Sequence, residues 1–160
     1  MPALQSIPET SSLSLTQTRF IRASRARVYE AWTNPEIMRQ WFGSPTMQCA
    51  SAQLDVRVGG DYSIKMALRP GADPAATGGH TTSEVHGHYV RVVPGELLQF
   101  TWIPAWNPAE ESLVTVTLKD APGGIELIAL HERFLSEASR DGHNAGWTSG
   151  LDRMQQLLAN

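Results

Sequence analysis

Apolar positions recur along the chain with two periods. Over residues 139–158, Trp147, Leu151, Met154 and Leu158 follow one another at spacings of four, three and four, one stripe of an α-helix with Leu157 beside it. His143 lies one turn earlier on the same side, while Gly142, Gly146 and Gly150 keep part of the helix bare. Each glycine weakens a helix by roughly 1 kcal/mol relative to alanine, so the pattern predicts either close approach by a strand or ligand, or tight packing alone. Upstream the period changes to two. Tyr62, Ile64, Met66 and Leu68 alternate with Asp61, Ser63, Lys65 and Ala67; Leu98, Phe100 and Trp102 alternate with Gln99 and Thr101; Val114, Val116 and Leu118 alternate with Thr115, Thr117 and Lys119. Such alternation predicts strands with one buried face.

Local signals place the boundaries. A first strand is expected over 13–22, ending at Phe20 and Ile21. Ser24 then caps a short helix with Val28 and Trp32 inward, and Asn34-Pro35-Glu36 starts a second with Ile37 and Trp41 inward. Gly43 and Pro45 end that pair. A strand follows over 49–56, and Gly59-Gly60 is the clearest hairpin signal. Residues 69–82, rich in Gly, Pro, Ala and Thr and without periodicity, read as a lid or a disordered loop. Strands resume over 83–93 and 96–103, with a turn at Pro94-Gly95 between them. A loop over 104–111 has Trp106 at its middle, and Pro122-Gly123-Gly124 turns into a last strand ending at Phe134. The order is strand, two helices, about six antiparallel strands and a long helix, an α+β arrangement. Residues 1–12 are expected to be a flexible arm and 13–160 a single domain.

Composition narrows the function classes. Lys and Arg number 13 against 16 Asp and Glu, a net charge of −3 without a basic run, so neither nucleic acid nor membrane is expected as a partner. No apolar run approaches the roughly 18 residues of a membrane span, and residues 1–12 lack the basic start and apolar centre of a signal peptide. Cys49 is the single cysteine, which excludes an internal disulfide and makes a cytoplasmic location the expectation.

A set of residues in fixed order carries a resemblance to a known family. It runs from Phe20, Ile21 and Ala23 through Val28-Tyr29-Glu30-Ala31-Trp32-Thr33, the helix from Pro35 to Trp41-Phe42-Gly43, Asp55, Arg57, Gly59 and Gly60, then Gly87 and Tyr89, and Phe100-Thr101-Trp102. It continues through Ser112-Leu113-Val114-Thr115-Val116 and His131 to His143, Gly146, Trp147 and Leu151. In these features the chain resembles the START-like (SRPBCC) superfamily, in the branch related to the activator of Hsp90 ATPase. The resemblance implies a helix-grip fold (START/Bet v 1-like): a curved antiparallel sheet of about six to seven strands wrapped around the C-terminal helix, with a cavity between them. Two features depart from the pattern, the 69–82 insertion and the N-terminal arm.

On that architecture the expected ligand-binding residues are Tyr62, Ile64, Met66, Tyr89, Phe100 and Trp102 from the sheet, Trp147, Leu151 and Met154 from the helix, and Trp41 and Phe42 at one mouth. Apolar walls with a few polar points are typical of small-molecule sites. His131, on the same face as Leu127 and Ala129, points toward His143, a pair suited to orienting a polar group or moving a proton. Glu84, His86 and His88 share one face of a strand but are nearly collinear, and no metal or other cofactor is expected; a solvated outer face accounts for them better. Asp55 and Arg57 read as a structural pair. Cys49 has no activating neighbour, no Ser lies in a nucleophile elbow, and Gly78-Gly79-His80 lacks the end of a phosphate loop. The leading expectation is a monomer or homodimer binding a small hydrophobic or aromatic molecule. The alternatives are a cyclase- or hydrolase-like enzyme using a cavity histidine, and an Hsp90-type co-chaperone interaction domain.

Overall fold

Two short helices separate the first strand from the rest of the sheet, and both are started by the residues that the chain offers for it. Ser24 Oγ accepts from Arg27 N at 3.2 Å, opening α1 (Arg25–Thr33). Asn34 Oδ1 accepts from Glu36 N at 2.9 Å with Pro35 in the first turn, opening α2 (Pro35–Trp41). A computed structural model describes residues 13–159; the arm expected at 1–12 lies outside them. The strands are β1 (Ser14–Ile21), β2 (Met47–Leu54), β3 (Asp61–Leu68), β4 (Thr82–Val93), β5 (Leu97–Pro104), β6 (Ser112–Ala121) and β7 (Gly124–Glu132), followed by the long helix α3 (Glu137–Leu158).

All seven strands form one antiparallel sheet in the order β1-β7-β6-β5-β4-β3-β2. β2 to β7 is a meander, and the α1–α2 segment carries the chain from the β1 edge to the β2 edge. The sheet curls around α3 as a half-barrel, the helix-grip fold. Leu151 and Met154 of α3 are fully buried, and Trp147 and Leu158 nearly so, in one core with Leu127, Val114 and Val116 of the sheet. Burial of this stripe stabilises the fold at about 25 cal/mol per Å² of apolar surface removed from water. The β1 edge grips the other side of the helix with polar groups: Gln17 Nε2 donates to Asn144 Oδ1 and Thr148 Oγ1 at 2.7 and 2.9 Å, and Arg19 Nε to Asp152 Oδ1 at 3.0 Å.

Several details differ from the sequence reading. In α2 the buried pair is Met38 and Trp41, with Ile37 only partly buried; a seven-residue helix is rotated by its neighbours more than by its own pattern. Residues 69–82 contain a short 3₁₀ turn (Pro74–Thr77) capped by Asp73, whose Oδ1 accepts from Ala75 N, and closed by Gly78 at φ +70°. β4 turns inward both Tyr89 and, in part, Val92, because the register shifts between Tyr89 and Arg91. Among the three helix glycines only Gly150 meets a close neighbour: a Cβ there would stand 3.3 Å from the Gly43 carbonyl oxygen, while Gly142 and Gly146 face open space. Among the described residues, no helix is long and apolar enough to cross a membrane.

Candidate functional site

Between the α1–α2 pair and the middle of the sheet lies a wholly apolar void lined by Trp32, Met38 and Phe42 on one side and Leu54, Tyr62, Ile64, Tyr89, Phe100 and Trp102 on the other. Its volume is about 10 Å³, the size of a single water. The walls come from the period-two alternation of β3, β4 and β5. Tyr62 sits opposite Gly87 in the β3–β4 register, and its hydroxyl crosses that strand to donate to the Thr101 carbonyl of β5 at 2.6 Å. Gly87 is required there, since a Cβ would stand 2.2 Å from the same oxygen. Burial, then the neighbouring Tyr89, push the Tyr62 phenol well above its ordinary value. Trp32 is 3% exposed, and its Nε1–H is the one buried side-chain nitrogen or oxygen among the described residues without a hydrogen-bond partner.

Behind this aromatic wall, the two histidines join the sheet to α3. Trp147 Nε1 donates to His131 Nδ1 at 3.0 Å. An indole N–H can only donate, so the His131 proton is on Nε2, which reaches Ser112 Oγ at 2.7 Å; that hydroxyl in turn donates to the Trp102 carbonyl. In the outer histidine the assignment is reversed. Trp102 Nε1 donates to His143 Nε2 at 3.1 Å, and the proton on Nδ1 is directed at the Ser139 carbonyl at 2.8 Å. The network thus assigns two neutral imidazoles of opposite tautomer with every ring nitrogen engaged. Burial, then the neighbouring His143, hold His131 well below the usual histidine range. Burial also lowers His143, opposed by its bond to Ser139 and by the charge of Glu110.

Glu110 closes this cluster at the start of α3. It is 2% exposed, and its two carboxylate oxygens accept from Leu135 N at 2.7 Å and Ser139 Oγ at 2.6 Å. A carboxylate at this end of the helix also meets the positive end of the helix dipole. Trp106, 57% exposed, stacks on the outer side of His143 with ring centroids 6.2 Å apart. The loop over 104–111 therefore supplies both the anchor of α3 and the cover of its histidine.

The expected site residues thus divide into groups. Phe42, Tyr62, Ile64, Tyr89, Phe100 and Trp102 line the void. His131, His143 and Trp147 form the polar cluster behind it. Trp41 packs against Trp32 at 4.8 Å and donates to the Ala31 carbonyl. Leu151 and Met154 are buried in the core away from the void, and Met66 is partly buried at the core's edge. Trp32, Met38 and Leu54 join the lining, and Glu110, Ser112 and Ser139 join the cluster, none of them among the expected site residues. Trp32 carried a signal, its inward place in α1; Glu110 carried none, lying in a loop without periodicity. Glu84, His86 and His88 face away from the side of β4 that buries Val85, Gly87 and Tyr89. Arg57 Nε bonds both carboxylate oxygens of Asp55. Cys49 is buried, which pushes its thiol up to about 11 against smaller opposing effects of Arg39 and the Ser51 carbonyl.

Solved structures of similar fold cover nearly the whole chain. A protein from Chromobacterium violaceum is 21% identical over 92% of this chain and 97% of its own, with a TM-score of 0.78. The AHSA1 protein from Silicibacter pomeroyi is 22% identical over 91% and 97%, with a TM-score of 0.75. The AHSA1-like protein from Aeromonas hydrophila is 21% identical over 89% and 90%, with a TM-score of 0.70. No curated protein sequence matches. Residues 22–159 match the family described as Activator of Hsp90 ATPase homolog 1-like protein, a span that includes both short helices, six of the seven strands and α3, and the chain therefore belongs to that family.

Proposed function

We propose that the protein binds a small, largely apolar or aromatic molecule carrying one hydrogen-bond acceptor, seated between α1–α2 and strands β3–β5. The observation that carries this reading is that Trp32, whose Nε1–H is unpartnered, lines an apolar void. A buried donor left unpaired costs about 1–3 kcal/mol, and such groups in native proteins call for an explanation. Water is a poor one. A buried water needs two to four polar partners, and the lining of the void is wholly apolar. A ligand with a carbonyl or ether oxygen would satisfy the indole and leave the aromatic walls to its apolar part.

The space as folded holds about 10 Å³, against roughly 300 Å³ or more for a typical ligand site. Binding therefore requires outward movement of the wall formed by Met38 and Phe42, at the C-terminal end of short α2. The histidine cluster does not supply the ligand's polar contact, because all of its ring nitrogens are engaged; it holds Trp102 and Trp147 in place.

The test uses two probes of similar size, ethylbenzene and acetophenone, titrated into the protein while the indole N–H resonances are followed by NMR. Acetophenone is expected to bind about tenfold more tightly and to shift the Trp32 resonance, and Trp32→Phe to abolish the difference between the probes. Absence of saturable binding by either probe, or an acetophenone preference that survives Trp32→Phe, would overturn the reading.

A further inference from the structure

Two arginines converge on the turn between α2 and β2. Arg153, on α3, donates from Nε to the Trp41 carbonyl at 3.1 Å, from Nη2 to the Gly43 carbonyl at 2.8 Å and, more weakly, to the Ser44 carbonyl at 3.5 Å, and from Nη1 to Ser149 Oγ at 2.8 Å. Arg69, just after β3, donates from Nε to the same Ser44 carbonyl at 3.0 Å. One backbone oxygen thus receives both guanidinium groups. Arg69 Nη2 also stands 3.2 Å from where a Cβ on Gly43, at φ +143°, would project.

The role of Arg153 is accounted for by the fold: every nitrogen of its guanidinium is bonded, and it satisfies carbonyl groups at the end of α2. Arg69 is different. Its Nη1 and Nη2 have no acceptor among the described residues, and it lies beside a like charge. The ion pairs among those residues engage Arg19, Arg25, Arg39, Arg57 and Arg140, but neither member of this pair. Asp152, next to Arg153 in the chain, is bonded to Arg19 instead. Both arginines are half-buried, so solvent only partly screens their repulsion. Burial lowers both from the usual guanidinium value, and the Arg69 charge lowers Arg153 further, opposed by the charge of Asp152.

We propose that Arg69 and Arg153 form an oxyanion-binding site, taking a phosphate or carboxylate group on the free Nη1/Nη2 edge of Arg69 with Arg153 as the second positive charge. The edge of a guanidinium matches two oxygens of such a group in parallel hydrogen bonds. An anion there supplies a bonded negative charge, which neither arginine receives from a side chain among the described residues. The site shares no residue with the apolar void, so either can fail without the other.

The experiment titrates the full chain with inorganic phosphate and, separately, with acetate, at ionic strength held constant with chloride, following thermal stability and the arginine Nε–H resonances by NMR. Saturable stabilisation by at least one of the two is expected, with a shift of the Arg69 resonance, and the stronger arm identifies the oxyanion. Arg69→Gln, which removes one bond to Ser44, is expected to lose at least tenfold in affinity; Arg69→Lys, which keeps the charge without the fork, should also bind more weakly. No saturable effect of either anion in the millimolar range, or unchanged affinity in the folded Arg69 variants, would overturn the proposal.

Discussion

The indole N–H of Trp102 donates to Nε2 of His143 at 3.1 Å, and this bond sets on which nitrogen the outer histidine carries its proton. A protonated His143 would aim an N–H at an indole N–H. The same conflict faces a protonated His131 at Trp147. Folding therefore favours the neutral form of both rings, as their burial also does.

A pH dependence of stability follows. The unfolded histidines titrate near pH 6.5, and both folded values are lowered. The unfolded chain therefore binds more protons than the folded one below about pH 6.5, and stability is full above that pH and is lost as pH falls toward the folded values. The limiting slope is about 1.4 kcal/mol per pH unit for each proton. Urea midpoints measured from pH 7.5 to 5.5 should fall, and the fall should be shallower in His131→Gln and His143→Gln. A flat profile in the parent protein would remove the neutral-tautomer assignment.

Trp106 shields the outer of these rings. In Trp106→Ala, His143 should titrate closer to the usual histidine range, because less of the ring is kept from water, while His131 should remain low. Histidine ring-proton chemical shifts followed against pH report each residue separately.

The helix glycines separate by neighbour rather than by sequence. Gly142→Ala and Gly146→Ala add a methyl into open space and should each stabilise by about 0.5–1 kcal/mol through helix propensity. Gly150→Ala places its methyl 3.3 Å from the Gly43 carbonyl oxygen, so that gain should be absent or reversed. Equal stabilisation by all three in thermal melts would show that α3 is not tightly packed on the α2–β2 turn.

Glu110 is the anchor of α3. Glu110→Ala leaves Leu135 N without its acceptor and removes the bond from Ser139 Oγ, at an expected cost of about 2–3 kcal/mol for bonds to a charged group. Glu110→Gln keeps one oxygen acceptor and should cost less. Denaturant unfolding of the two variants gives the order directly.

Cys49 should be inert while the protein is folded. Its thiol is buried and pushed up to about 11, so almost no thiolate exists at neutral pH. Reaction with a disulfide reagent should proceed only at the rate at which the chain opens, and quickly in denaturant.

The order of elements is legible in the residues alone, because it depends on local properties. Ser24 and Asn34 start helices through bonds to backbone two or three positions away and Pro35 through its fixed φ, and alternation in β3 and β5 assigns Tyr62, Ile64, Phe100 and Trp102 to one face whatever lies opposite. The stripe of Trp147, Leu151 and Met154 is legible in the same way. Periodicity reports which way a side chain faces; it does not report how far away its neighbour is or which atom it meets. Only the tertiary structure decided that Gly150 is crowded and Gly146 is not, that Met38 replaces Ile37 on the inner side of α2, and that the space inside the grip is nearly filled. Three bonds of the histidine cluster join residues 16 to 41 positions apart, and Glu110 reaches α3 across 29 positions. Such pairings depend on how sheet and helix are placed against each other, and no short stretch of the chain encodes that placement by itself.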